Sequence, residues 1–177
     1  MSSYVLPSPA SLGSLSTQEW VGIIAHLFEP SPALESFLLP HLASVTTYTE
    51  LIELARTLFY SLGAESTKNP AQRLVLFEIL AAHPRLGARK VESVHSIAEQ
   101  ASLQGETERF EKINKEYEVK FPGLRYVVFV NGRSRDQIFD NARQRIDRAD
   151  YELEKKEAIN AICDIAIDRA KKFGALI

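Results

Sequence analysis

The sequence predicts an all-α fold, a single compact multi-helix domain of about seven to eight helices with one short extended segment at 126–130. Three observations carry that expectation. Apolar residues recur at i, i+3, i+4 and i+7 through most of the chain. Ser, Thr or Asn stands at the head of several of these stripes, where a side-chain oxygen can accept from an orphan backbone N–H. Only Tyr126, Val127, Val128, Phe129 and Val130 form a convincing run of β-branched and aromatic residues, framed by Gly123 and Gly132.

The elements follow in order. Residues 1–15, rich in Ser and Pro, read as a poorly structured lead, and 16–177 as one domain. Ser16 and Glu19 have capping-box spacing ahead of Trp20, Ile23, Ile24 and Leu27. Pro30 and Pro32 end that helix and open a short one through Leu34, Phe37 and Leu38. Thr47 and Glu50 repeat the box before Leu51, Leu54, Ala55, Leu58 and Leu62, with a stop expected at Gly63. Asn69-Pro70 pairs a cap with a first-turn proline and launches a helix expected to end at His83, just before Pro84. Residues 85–95 look irregular, and Ser96 with Glu99 marks a further helix start. The alternating charges of 106–121 carry one buried stripe, Phe110, Ile113, Tyr117 and Phe121. Ser134 with Gln137 caps a helix through Ile138, Ala142 and Ile146, and a long last helix runs over 151–173 to Gly174.

A chain of 177 residues should bury roughly 70% of its unfolded surface, so it needs no covalent staple. Lys plus Arg number 21 against 23 Asp plus Glu, and the net charge of −2 argues against a nucleic-acid partner. Cys163 is the single cysteine, which excludes an intramolecular disulfide and leaves a Cys-based zinc site short of ligands. No apolar run approaches the ~20 residues of a membrane span. The first residues lack the basic start and apolar stretch of a signal peptide, and the C-terminal Gly-Ala-Leu-Ile lacks a Ser-Lys-Leu type address. A cytoplasmic setting is the default expectation, with other routes into a peroxisome left open.

The common phosphate-loop, dinucleotide, zinc-protease and nucleophile-elbow patterns are all missing. Cys163 lies in an apolar helical context and reads as core. His26 and His41 sit on amphipathic helices, where a surface or hydrogen-bonded role is expected. His83 differs, because a helix halting at a proline holds the imidazole in a fixed direction. His95 is a weaker candidate, and the spacing of the two fits no metal-ligand pattern. Ser96 to Gln100 (SIAEQ) reads either as a capping box or as pocket residues near a helix N-terminus. Arg133, Arg135, Arg143, Arg145 and Arg148 alternate with acids and read as a solvated face. The extended segment has no second strand to pair with, so its backbone groups must turn to helix ends and side chains, or line a pocket for an amide-like ligand.

Taken in order, His83-Pro84-Arg85-Leu86-Gly87, Ser96-x-x-Glu99-Gln100, the segment 126–130 followed by Asn131-Gly132-Arg133-Ser134, and Arg169 resemble the 2-oxo-4-hydroxy-4-carboxy-5-ureidoimidazoline (OHCU) decarboxylases of urate breakdown. Ser31-Pro32 with 37–40 extends the resemblance over most of the chain. It implies a cofactor-free carbon–carbon lyase that converts OHCU to (S)-allantoin and CO2. It also implies His83 and Glu99 as catalytic residues, and Pro84, Ser96, Gln100, Val128, Phe129, Val130 and Arg169 as substrate-binding residues. No metal is implied, and a homodimer is compatible with it. The chain departs from the family pattern at Ser102-Leu103, where many members carry Gly-Leu, and at His95, where an aromatic is usual. Two other readings stand beside it: a non-catalytic helical binding or adaptor module, and a homologous lyase acting on another small ureido acid.

Overall fold

The computed structural model describes residues 4–87, 94–101 and 105–175. Ser102-Leu103 and the last two residues lie outside the described residues. Eight α-helices and two 3₁₀ helices, Pro9–Ser14 and Leu39–Ser44, make up the described fold, and no strand is present among the described residues. The α-helices are α1 (Thr17–Leu27), α2 (Pro32–Leu38), α3 (Tyr48–Glu65), α4 (Pro70–Ala81), α5 (Val94–Glu99), α6 (Thr107–Lys120), α7 (Arg135–Arg148) and α8 (Tyr151–Lys172). None is long and apolar enough to cross a membrane.

Local chemistry sets most of the starts. Ser16 and Ser134 form complete capping boxes with Glu19 and Gln137, while Thr47, Asn69 and Asp150 each accept from the first turn of the helix they precede. Each such cap is worth about 1 kcal/mol. Helix α8 is the spine: α3 packs on it most extensively, α1 also contacts it, and its Ala158, Ile159, Ile162, Cys163 and Ala166 are buried. Burial pushes the Cys163 thiol up to about 12, so it is protonated and inert, as its apolar context predicts.

Three expectations give way. Helix α3 continues through Gly63 to Glu65, because Gly63 is buried against Ile159 and its carbonyl accepts from both Ser66 Oγ and Lys155 Nζ. Helix α4 ends at Ala81, with Ala82 as its cap, so His83 begins the turn that follows it. From Tyr4 onward the N-terminal lead is packed: Leu12 is buried, Leu6 N–H donates to Phe173 O at 3.2 Å, and Tyr4 stacks on His26. Serine and proline content hid the two leucines that anchor it.

The turn after α4 is pinned on both sides. Arg125 Nη1 donates to Ala81 O at 2.6 Å and His83 O at 2.7 Å, and Asn114 Nδ2 to Leu86 O at 2.9 Å. Gly87, at φ +66°, donates its N–H to Gln100 Oε1 at 2.8 Å. A Cβ at Gly87 would meet the Phe110 ring at 2.5 Å. Gly87→Ala should therefore cost about 2–4 kcal/mol in urea unfolding, through left-handed backbone strain plus overpacking.

Candidate active site

A cavity of about 420 Å³ opens between the α4–α5 region, the 126–132 segment and the last turns of α8. His83, Pro84, Ser96, Glu99, Gln100, Val128, Phe129 and Val130, all expected from the sequence, line it. Arg169 is not among the lining residues. The described fold thus brings eight of the nine expected residues to one hollow and sets the ninth directly behind its wall.

His83 is 5% exposed. Neither of its ring nitrogens has a hydrogen-bond partner among the described residues, and the residue lines the cavity. Burial, with the charges of Arg169 and Arg125 nearby, pulls its pKa from the ordinary 6.5 down to about 3. The imidazole is neutral at pH 7, in place of the near-neutral titration expected of a free histidine. Between about pH 6.5 and 3 the unfolded chain therefore binds the extra proton. The contribution of His83 to stability is full above pH 6.5 and is lost as pH falls towards 3. Denaturant midpoints measured from pH 7 to 4 should fall less steeply for His83→Asn than for the parent.

Glu99 does not hydrogen-bond His83. It closes α5 at its C-terminal end, away from any helix N-terminus, and its carboxylate accepts from Arg169 Nε at 2.7 Å and Nη2 at 3.0 Å. Ser96 lies inside α5, at its third residue. Its Oγ reaches Glu29 Oε1 at 3.1 Å, and Arg169 Nη2 reaches the same Glu29 oxygen at 2.9 Å. Arg169 Nη1 donates to Phe28 O. The guanidinium, 1% exposed, is held between two carboxylates and a carbonyl, and its charge is kept by them despite burial. It fixes Ser96 and Glu99 in the cavity wall.

Arginines satisfy three carbonyls of the unpaired segment. Arg145 Nη1 donates to Val127 O at 3.0 Å, and Arg133 donates to Phe129 O through Nη2 and to Val130 O through Nε at 3.2 Å. Neighbouring residues of an extended chain point their backbone groups to opposite sides. Val128, between these two anchored carbonyls, has no partner for its N–H or C=O among the described residues, and it lines the cavity. The segment ends at Asn131-Gly132, both with positive φ (47° and 72°), and Arg133 N–H closes the reversal onto Val130 O at 3.0 Å.

Sequence reasoning missed the supports of the site. Arg145 belongs to no solvated face: it is 3% exposed and forks onto Glu154, which also takes the Tyr117 hydroxyl and Arg148 Nη2. The signal was present, since Ile138, Ala142 and Arg145 follow i, i+4, i+7 on the buried stripe. Glu29 lies just outside α1, where no periodicity marks it.

Helices around a cavity, lined by a neutral histidine and by the open backbone of Val128, neither with a hydrogen-bond partner among the described residues, define a helical protein with a candidate small-ligand site. The sequence model of the OHCU decarboxylase family matches residues 13–171, and the chain belongs to that family. The chain is also similar to the uric acid degradation bifunctional protein PucL of Bacillus subtilis (strain 168), 26% identical over 161 residues. That alignment covers 88% of this chain and 30% of PucL, so the chain spans under a third of its relative's length.

Proposed function

We propose that this protein decarboxylates OHCU to (S)-allantoin and CO2 without a cofactor. The reading rests above all on one observation: a neutral His83, without a hydrogen-bond partner among the described residues, shares a cavity of about 420 Å³ with the open backbone of Val128. That volume lies in the range of small-ligand sites. Family membership and the similarity to a uric acid degradation protein support the same substrate.

The substrate provides its own electron sink. As the carboxylate leaves as CO2, the bonding pair moves into the ring C=N, whose nitrogen takes a proton, and an enol remains. The enol hydroxyl then gives up its proton while the carbon bearing the ureido group gains one, yielding neutral allantoin. His83, unprotonated at rest, accepts the hydroxyl proton and returns a proton to one face of the ring, which sets the handedness. Glu99, held by Arg169, faces the reacting groups as a fixed carboxylate. Gln100, Ser96 and the backbone of Val128 to Val130 bind ureido and ring amides, and Pro84 and Phe129 shape the walls. Arg169 acts here as a positioning residue behind the wall.

The test is turnover. Substrate generated enzymatically from urate and mixed with the purified protein should release CO2 and build up (S)-allantoin well above the spontaneous rate. Allantoin accumulating at the spontaneous rate, as a racemate, would overturn the reading. A homodimer and a cytosolic setting belong to the same proposal and are checked by sedimentation and cell fractionation.

A further inference from the structure

Charge in the cavity wall raises a problem for an anionic substrate. Of the described lining residues, Glu99 and Asp168 carry negative charge, His83 is neutral, and Lys172 is the one cation. Arg169 offers no free positive charge, since Glu29 and Glu99 both bind it. A carboxylate entering this space finds Glu99 already paired with Arg169, and Lys172, paired with Asp168, as the one cation among the described lining residues.

We propose that Lys172 is a substrate-binding residue that takes the departing carboxylate at the cavity mouth, with Asp168 holding it in place between turnovers. The inference rests on the decarboxylase reading above. Lys172 sits at the end of α8, one helical turn beyond Asp168, and its Nζ lies 2.7 Å from Asp168 Oδ2. The lysine side chain is 59% exposed and that of Asp168 29%. An exposed i, i+4 pair of this kind contributes little to stability, so it is exchanged at small cost. The ammonium has three donors on a flexible stem and can keep Asp168 while binding a second carboxylate. Once CO2 has left, the product is neutral and the ammonium returns to Asp168. Lys172 thereby favours substrate over product at a site that otherwise binds the two through the same amides.

Steady-state kinetics of Lys172→Met and Lys172→Arg at low and high salt test this, with thermal melts as the control for folding. Lys172→Met should raise KM about tenfold, the factor of one charge-assisted hydrogen bond, with kcat within about twofold of the parent. Its KM should lose most of the salt dependence seen in the parent. Lys172→Arg should restore both. If the parent turns over OHCU and Lys172→Met keeps its KM and salt dependence, the role of Lys172 is overturned while the decarboxylase reading stands. A fall in kcat at unchanged KM would overturn it as well, and a parent without turnover would overturn both.

Discussion

His83→Asn should lower kcat/KM for OHCU by about 10²–10⁴-fold, the range set by losing one proton-transfer group. The reason lies in what the ring does in the fold, which is little. It makes no hydrogen bond to the described residues, and the turn around it is fixed by Arg125, Asn114 and Gln100 through backbone groups. Asparagine keeps a polar side chain in that space but cannot accept and return a proton near neutral pH. A melting temperature close to the parent's, with decarboxylation near the spontaneous rate, is the expected pair of results. The rate dependence carries a second expectation. Because burial and two guanidinium charges hold His83 neutral, kcat/KM should show no limb at the ordinary histidine pKa of 6.5 when pH is varied from 8 to 6.

Arg169→Leu should cost about 3–5 kcal/mol in stability, because it strands two carboxylates, Glu29 at 3% and Glu99 at 17% side-chain exposure. The loss is to be read as a fall in the urea midpoint at pH 7. Activity should fall with it, since Ser96 and Glu99 would lose the group that sets their positions in the cavity wall. Arg169→Lys keeps the charge but cannot fork onto Glu29, Glu99 and Phe28 O together, so an intermediate loss is expected. Adding Glu29→Gln to Arg169→Leu should recover part of the stability, because one stranded charge is then removed.

What the sequence discloses and what it hides divides along a physical line. Helix starts at Ser16, Thr47, Asn69 and Ser134 are legible because a cap and its N–H are two or three residues apart. The unpaired segment is legible because strand composition without a partner is a local fact that demands a tertiary answer. The spacing of Ser96 and Glu99 fits a helix cap equally well, and only Glu29, 67 residues away, shows what Ser96 binds. Glu99 and His83 line one cavity without a hydrogen bond between them, and the guanidinium that holds Glu99 comes from α8. Buried charges were the general blind spot. Arg145 occupies a buried stripe position, but its charge and the neighbouring acids suggest solvent.

The central claim is that His83 handles the proton that fixes the configuration of the product. Circular dichroism of the allantoin formed by the parent and by His83→Asn, each run to the same extent of reaction, tests it most directly. The parent should give an excess of the (S) enantiomer, and the variant a signal near zero from spontaneous, unselective decay. An undiminished (S) excess formed at the parent rate by His83→Asn would contradict the assignment of that proton to His83.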